Sequence, residues 1–317
     1  MSYRDKLEDL KSQMKIEPES LSLSLENFIK EHVEKLEREG VILGLSGGID
    51  SAVLATLCKR AVGPDKTLAL IMPEKDSKKE HVKDALNFAK ELGIKTKLIN
   101  ITPYLKKLEV YKLAPLSRVP FTGKLRGYLI KKAYHYYERK TGETPFSAAM
   151  TGLRNKEFSS FISKRNAYYR IKHRMRMVLL YLHGEVENRL VAGAANKSEY
   201  LIGYFVKHGC DDATDIMPLL SLYKTQVREL ARYLKVPSKI IEKPPSPDIL
   251  PGIIDEEAIG ISYEKLDLIL LALGKGWEID AIAKALEMEE KRVIYVKNLV
   301  QKSEHMRKNY TPESPHA

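Results

Sequence analysis

The chain has 317 residues, 44% hydrophobic and 30% charged, and its 53 Lys and Arg against 42 Asp and Glu give a formal net charge of +11. This composition is typical of a globular protein with a sizeable core and excludes a disordered or fibrous chain. The two cysteines, Cys58 and Cys210, belong to no CxxC motif or Cys/His cluster in the sequence. The pattern therefore predicts neither a disulfide framework nor a structural zinc site.

Signals for export or membrane insertion are not expected from the sequence. The first residues are charged throughout and include no apolar stretch typical of a signal peptide. The apolar run 268–273 is far shorter than the roughly 18 residues that a membrane span needs. We therefore expect a cytoplasmic protein with no membrane partner.

The positive charge is concentrated in residues 105–170. This segment holds 15 Lys and Arg, four Glu and no Asp, so its excess equals that of the entire chain, and it holds 11 of the 25 aromatic residues. Basic residues interleaved with aromatic ones can bind nucleic acid. The alternative is an inserted helical hairpin that packs its aromatic side chains against the main body or a second subunit. The sequence favours this alternative, because polyanionic small substrates also need a basic rim.

The first half of the chain alternates between helices and short apolar strands. Apolar spacing predicts a first helix over residues 21–36 that ends at Gly40. Strands are predicted at 41–45, 67–72 and 96–101, separated by helices that end near Val62 and at Gly93. This βαβαβ order indicates a parallel sheet.

After the basic segment the alternation resumes. We predict a helix over 172–187, a strand over 190–193 and then helices at 196–205, 223–234 and 262–302, the last with a break at 274–276. The whole chain, 1–317, is expected to form one α/β domain with a doubly wound, mostly parallel, Rossmann-like sheet. Residues 105–170 would be a helical basic insert, and the helical C-terminal part would fold back over the substrate.

The first strand runs into the loop Ser46-Gly47-Gly48-Ile49-Asp50-Ser51, and a helix follows it directly. Backbone N–H groups and the positive end of that helix can receive an anion, the glycines let the backbone approach a phosphate, and the serines add hydroxyl donors. The loop is not a Walker A motif, because no Gly-Lys-Ser/Thr follows. Residues 44–48 also fit the GxSxG pattern of a hydrolase nucleophile elbow. A nucleophile elbow does not require Asp50 and Ser51, however, whereas a pyrophosphate site would use the carboxylate to bind a metal ion and the hydroxyl as a further donor.

Together with the preceding Val-Ile-Leu-Gly-Leu, this loop resembles the pyrophosphate loop of the N-type ATP pyrophosphatases, which have the adenine nucleotide alpha hydrolase-like fold. Downstream stretches are similar, in identity and order, to ammonia-dependent NAD synthetases: 174–177, 193–199, 215–218, 223–225, 243–248 and 260–263. The resemblance covers about four fifths of the chain and leaves out the basic segment.

The resemblance implies a carbon–nitrogen ligase that works in two steps. The nicotinate carboxylate of deamido-NAD attacks the α-phosphate of ATP and releases pyrophosphate, and ammonia then displaces AMP to give NAD. Because an anion must attack a polyanion, Mg²⁺ and directed hydrogen-bond donors are expected at the site. The resemblance also implies a homodimer, with free ammonia as the nitrogen source unless a separate glutaminase supplies it.

By position in the matched stretches, the resemblance assigns roles to individual residues. Asp50 and Glu199 would share Mg²⁺, a cation that prefers oxygen ligands, and the candidate catalytic residues are Asp50, Lys224 and Asp215. The ATP site would be formed by Gly44, Leu45, Ser46, Gly47, Gly48, Ile49, Asp50, Ser51, Ala194, Lys224 and Ser246. Deamido-NAD would be held by Arg174, Lys207, Asp215 and His305. The Pro- and Gly-rich segment 243–252 is expected to act as a lid over ATP.

The chain departs from the family pattern on the substrate side. Ala194 stands where the family usually has a threonine, the loop 207–215 is longer and less glycine-rich, and Met306 replaces a lysine. These changes leave open a paralogue that adenylates another carboxylate or another oxygen. A further alternative is a tRNA-thiolating enzyme, which the basic segment favours and the missing CxxC motifs disfavour. Cys58 is expected in the core, and Cys210 is expected to be inert.

Overall fold

Four short strands form the centre of the fold in the computed structural model, which describes residues 3–113, 123–141, 143–150, 156–245 and 253–309. The strands are β1 (Gly40–Gly44), β2 (Thr67–Ile71), β3 (Lys95–Leu98) and β4 (Arg189–Ala192). They are parallel and lie in the order β3-β2-β1-β4, with Val41 paired to Thr67 on one side and to Leu190 on the other. The predicted α/β class with a parallel sheet is confirmed.

Helices make up most of the remaining described structure. They are α1 (Tyr3–Met14), α2 (Pro18–Lys35), α3 (Ile49–Val62), α4 (Lys79–Leu92), α5 (Thr102–Lys107), α6 (Gly123–Thr141), α7 (Pro145–Met150), α8 (Lys156–Val186), α9 (Lys197–Ile202), α10 (Lys224–Tyr233), α11 (Ser238–Ile241), α12 (Asp255–Ile259), α13 (Tyr263–Gly274), α14 (Ile279–Ala285), α15 (Glu290–Lys302) and α16 (Glu304–Arg307). None of the helices in the described ranges combines the length and the apolar character needed to cross a membrane.

Both faces of the sheet are covered by helices. Successive strand residues point to opposite faces, so Val41 and Leu43 of β1 pack into one core with α2, α3 and α10, while Ile42 packs into another with α5 and α8. A third apolar cluster joins Leu10 of α1 to α13, α14 and α15. The sheet is therefore doubly wound, and the C-terminal helices have a core of their own.

The predicted end of the first helix at Gly40 is wrong. Helix α2 ends at Lys35, and Gly40 is the first residue of β1. A Cβ atom on Gly40 would lie 2.1 Å from the carbonyl oxygen of Lys66. Glycine is needed there because two backbone segments approach closely, not because a helix ends.

The described part of the basic insert packs against the main body. Tyr134 of α6 is buried and its hydroxyl donates to the carbonyl oxygen of Ala258 at 2.7 Å, and the hydroxyl of the buried Tyr168 donates to the carboxylate of Asp76. Tyr136, in contrast, is 53% exposed. Tyr134 and Tyr168 of the insert are thus buried within the folded chain, and the helical hairpin stays a prediction.

Candidate active site

The loop after β1 is held in shape by its own serines. The hydroxyl of Ser51 donates to the carbonyl oxygen of Gly48 at 3.0 Å and accepts the backbone N–H of Ser46 at 3.2 Å, and the N–H of Gly48 donates to the hydroxyl of Ser46 at 3.2 Å. Gly47 has φ +80°, and a Cβ atom on it would lie 2.4 Å from the carbonyl oxygen of His81. The loop therefore delivers the N-terminus of α3, with its free backbone donors, to one fixed place.

A cavity of about 650 Å³ lies at the carboxyl ends of the strands, where Gly44, Ile71 and Ala192 reach its wall. Ligands of doubly wound sheets bind at this edge, and the volume suits a nucleotide-sized ligand. The cavity is lined by all the described residues that were predicted to bind ATP: Gly44, Leu45, Ser46, Gly47, Gly48, Ile49, Asp50, Ser51, Ala194 and Lys224. The predicted ATP contact Ser246 and most of the predicted lid lie outside the described residues.

Two carboxylates from distant parts of the chain meet a buried lysine in this cavity. The ammonium nitrogen of Lys224 lies 2.6 Å from Oδ2 of Asp50 and 2.8 Å from Oε1 of Glu199, and Lys224 is only 1% exposed. Asn196 holds the pair in place, because its side-chain amide donates to Oδ1 of Asp50 at 3.0 Å and its oxygen accepts the N–H of Glu199 at 3.0 Å. The structure thus brings together three residues that the sequence motifs singled out separately.

A third carboxylate, Asp255, belongs to the same cluster, and the sequence analysis missed it. The hydroxyl of Tyr263 lies 3.1 Å from Oε1 of Glu199 and 3.3 Å from Oδ2 of Asp255, and the hydroxyl of Tyr204 donates to Oδ1 of Asp255 at 3.1 Å. Asp255 opens the acidic first turn of α12, which is an ordinary place for an aspartate. Asp255 differs from other aspartates in helical first turns only because the fold buries it, and no local sequence pattern predicts that burial.

The charges in the cluster do not balance. Three carboxylates face one ammonium group, which leaves two negative charges in excess when all are ionised. Burial, reinforced by the charges of Asp50 and Asp255 and opposed by Lys224, raises the pKa of Glu199 to about 7, and burial also raises the pKa of Asp255. Burial would lower the pKa of Lys224, but the neighbouring carboxylates raise it above its usual value. The lysine therefore remains an ammonium ion, and the cluster has room for further positive charge.

The residues predicted to bind deamido-NAD lie outside the cavity lining in the described structure. Arg174 donates to the carbonyl oxygen of Lys207 at 3.2 Å, and the ammonium group of Lys207 donates to the carbonyl oxygens of His305 at 2.8 Å and Lys308 at 2.7 Å. Asp215 accepts the N–H of Val191 at 2.8 Å. These contacts tie α8 and the loop 207–215 to β4 and to the C-terminal helix α16, and the predicted substrate roles stay predictions.

Several basic residues that were given no individual role in the sequence analysis line the cavity instead. They are His81, Arg165, Arg170, His173, Arg176 and Lys243. Arg176 donates to the carbonyl oxygen of Met72 at 3.2 Å, and Lys243 donates to the carbonyl oxygen of Gly47 at 3.1 Å. Arg176 lies two residues from the predicted Arg174, so helical spacing was the only signal that could have separated them.

The fold and the site together define an α/β protein with a tight glycine-rich loop and a nucleotide-sized cavity at the carboxyl edge of its parallel sheet. The model of the NAD synthase family matches residues 21–119 and 139–310. The NH(3)-dependent NAD(+) synthetase of Thermotoga maritima is 42% identical over 286 residues, which cover 90% of this chain and 96% of the relative. The chain belongs to the NAD synthase family, which confirms the resemblance and the prediction of a ligase.

Two solved structures extend the comparison. The NMN synthetase from Francisella tularensis is 30% identical, has a TM-score of 0.66, and is matched over 95% of this chain and 100% of the other. The NH3-dependent NAD synthetase from Campylobacter jejuni, in complex with the nitrate ion, is 27% identical with the same TM-score and the same coverage of the two chains. The similarity thus extends over nearly the full length of the fold.

Proposed function

We propose that this chain is an ATP-dependent ligase that converts deamido-NAD and ammonia to NAD, with AMP and pyrophosphate as the other products. One observation carries the proposal: the anion-binding loop 46–51 and the cluster of Asp50, Glu199 and Lys224 line the same cavity. The Thermotoga maritima relative, which is named for this activity, supports it. An enzyme that adenylates an unrelated carboxylate or thiolates tRNA has no such support.

In the first step a nicotinate oxygen attacks the α-phosphorus of ATP. The bond from that phosphorus to the bridging β oxygen breaks, and pyrophosphate leaves. The backbone donors at the start of α3 would hold the phosphates as negative charge builds up on the leaving group, and the hydroxyls of Ser46 and Ser51 would turn from their contacts within the loop toward the ligand. The ammonium group of Lys224 contacts the carboxylates of Asp50 and Glu199 and holds them in position beside the phosphate site.

In the second step the nitrogen of ammonia attacks the acyl carbon. The bond from that carbon to AMP breaks, and the nitrogen loses a proton to give the carboxamide. Water would compete with ammonia, so the acyl-adenylate must be shielded. Lys243, Pro244 and Pro245 line the cavity, which agrees with a lid over 243–252.

Mg²⁺ fits the donor set at the cluster. Asp50 and Glu199 offer carboxylate oxygens, the ligands that Mg²⁺ prefers, and the two excess negative charges match one divalent cation. When bound there, Mg²⁺ would neutralise charge on the phosphates of ATP. We further propose a homodimer, and binding of deamido-NAD across the edge of the cavity toward Arg174, Lys207, Asp215 and His305.

Pyrophosphate release, with the mass of the product read alongside, tests the proposal. With ATP, Mg²⁺, deamido-NAD and ammonium we expect NAD, AMP and pyrophosphate in equal amounts. Asp50→Asn should slow the reaction by about 100-fold or more, because the variant loses a charged group of the phosphate site. Asp280→Asn, at an exposed ion pair on the surface, is the control and should keep the wild-type rate. Pyrophosphate released only with a different acceptor would overturn the assignment.

A second acceptor deserves the same assay because the Francisella tularensis structure is an NMN synthetase. Deamido-NMN carries the same nicotinate carboxylate as deamido-NAD but lacks the adenylyl half. We expect kcat/KM to favour the dinucleotide, since the curated relatives at higher identity are named NAD(+) synthetases. A preference for the mononucleotide would transfer the proposal to NMN synthesis without changing its chemistry.

A further inference from the structure

Three potential metal ligands of different chemical type meet at one side of the cavity. His173 lies in α8, and Cys210 and Asp211 lie in the loop 207–215. Among the residues that the structure describes, they are the one set of three or more His, Cys, Asp or Glu side chains whose ligand atoms all lie within 4.8 Å of one another. All three residues line the cavity.

The distances within the set match those around a tetrahedral zinc ion. Nδ1 of His173 lies 3.7 Å from Sγ of Cys210 and 3.4 Å from Oδ2 of Asp211, and Sγ of Cys210 lies 3.6 Å from Oδ2 of Asp211. Bonds of about 2.3 Å to sulfur and about 2.1 Å to nitrogen and oxygen, at tetrahedral angles, require separations of about 3.6 Å to the sulfur and about 3.4 Å between the other two atoms. One ion could therefore reach all three atoms with little movement.

A catalytic Cys-His-Asp triad does not account for this arrangement. In a triad the nucleophile and the acid use opposite ring nitrogens of the histidine, so that a proton can pass through the ring. Here Cys210 and Asp211 both face Nδ1 of His173. Without an ion, the thiol of Cys210 can donate to Oδ2 of Asp211, and the single proton on Nδ1 of His173 serves one neighbour. A metal ion would replace these hydrogen bonds and bind all three atoms at once.

The backbone also fixes the cysteine beside the histidine. The N–H of Cys210 donates to the carbonyl oxygen of His173 at 3.2 Å, and the N–H of His208 donates to the carboxylate of Asp212 at 2.7 Å. The loop therefore holds its ligands in place through contacts that do not involve their side chains. Such preorganisation is what a metal site needs.

We propose that His173, Cys210 and Asp211 bind one zinc ion through Nδ1, Sγ and Oδ2. The thiolate and the carboxylate would neutralise the ion, and the thiol proton would be released on binding. The thiolate selects zinc over Mg²⁺, which separates this site from the oxygen-only cluster at Asp50. Three protein ligands leave a fourth position open, and because all three residues line the cavity, that position would take water or a donor atom of the substrate.

Cobalt substitution tests the site without an activity assay. The full-length protein, stripped of metal by a chelator in the presence of a phosphine reductant, is titrated with Co²⁺ in excess Mg²⁺. We expect one equivalent of Co²⁺ per chain to produce a thiolate-to-cobalt charge-transfer band and the intense visible bands of four-coordinate cobalt, and Zn²⁺ to abolish both. Oxygen ligands at the Asp50 cluster cannot produce the charge-transfer band.

Two matched pairs of variants assign the signal. Cys210→Ser should abolish the charge-transfer band. Asp211→Asn should weaken cobalt binding by roughly 10-fold or more, because even the loss of a residue that only hydrogen-bonds to a metal ligand lowers metal affinity by about that factor. Cys58→Ala, at a fully buried cysteine in α3, and Asp280→Asn, at an exposed aspartate in α14, should keep the wild-type spectrum. The proposal fails if the wild-type protein shows no charge-transfer band, if Cys210→Ser keeps it, or if the control variants lose it equally. Because the readout is a spectrum, this result does not depend on whether the protein makes NAD.

Discussion

Lys224 carries the most completely buried charge of the candidate active site. A buried ammonium group is stable only beside opposite charges, because burial removes its hydration. Asp50 and Glu199 supply those charges at 2.6 and 2.8 Å. Each member of the cluster therefore depends on the others, and a change at one should appear in the ionisation of its neighbours.

Glu199→Gln should change how the stability of the Mg²⁺-free protein depends on pH. Burial, with the charges of Asp50 and Asp255 and against that of Lys224, raises the pKa of Glu199 to about 7, whereas its ordinary value is 4.5. Between these two values the folded state binds the proton more tightly than the unfolded state. The free energy of unfolding therefore falls as the pH rises from about 4.5 to about 7. Glutamine does not ionise, so the variant should not show this fall in stability.

We expect the Glu199→Gln variant to be more stable than the wild type at pH 8 and nearly equal to it near pH 5. Denaturant unfolding with a chelator present measures the difference. Glu91→Gln, at an exposed glutamate of α4, is the matched control and should follow the wild-type profile. Identical pH profiles for Glu199→Gln and the wild type would contradict the prediction.

Motifs predicted the residues that act through local geometry and missed those placed by the returning chain. Asp50 belongs to a short loop whose spacing is itself a signal, and Lys224 and Glu199 follow recognisable strings. Asp255 reaches the same cluster only because residues 253–263 fold back over it, and Tyr263, although it ends the matched stretch 260–263, was given no role at the site. Arg174 was predicted at the site and Arg176 was not, since the sequence does not show how α8 is rotated about its axis.

At the scale of an element, the unit of β1, its loop and α3 is shaped by glycines with different tasks. Gly40 allows the close approach of Lys66, and Gly47 turns the chain between the strand and the helix. The strands and most helices could be predicted because their apolar periodicity is local. The need for glycine at position 40 could not be predicted, because a glycine that ends a helix and a glycine that a second backbone segment approaches closely look the same in the sequence.

Gly47→Ala should destabilise the protein more than Gly93→Ala does. Both glycines have positive φ, +80° and +69°, so alanine costs roughly 1–2 kcal/mol at each. At Gly93 a Cβ atom meets nothing within 4 Å, but at Gly47 it lies 2.4 Å from the carbonyl oxygen of His81. Denaturant midpoints at unchanged slope give the difference in the free energy of unfolding. Equal losses in the two variants would show that α4 moves aside without cost.

At the scale of the whole molecule, two kinds of ion pair tie the helices of the basic insert to the main body: one at Lys131, within residues 105–170, and one at Lys172, where α8 continues beyond the insert. Lys172 of α8 is buried and lies 2.7 Å from Oε1 of Glu74 and 3.1 Å from Oδ2 of Asp76, which follow β2. Lys131 of α6 pairs with Glu257 of α12 at 2.5 Å, with both side chains about one-third exposed or more. Composition alone predicted that the insert is basic but not which lysines face inward.

Lys172→Met should cost far more stability than Lys131→Met. Removing the buried cation leaves Glu74 and Asp76 without it in a site that water scarcely reaches, a loss of about 3–5 kcal/mol. An exposed pair contributes about 0–1 kcal/mol. Thermal unfolding of the two variants at low and high salt separates them, and the small effect of Lys131→Met should shrink further as salt rises. A loss below about 1 kcal/mol for Lys172→Met would mean that the carboxylates find other partners.

The cluster that joins Asp50, Glu199, Lys224 and Asp255 has a consequence for synthesis on the ribosome. The loop 46–51 is translated early, together with β1, β2 and β3, but β4 follows the insert and α8. The nascent chain therefore carries the loop and Asp50 well before the lysine that neutralises Asp50 has been made. The site is complete only when residues near 255–263 have left the exit tunnel, so a stalled or truncated chain would have the loop 46–51 but no complete carboxylate cluster.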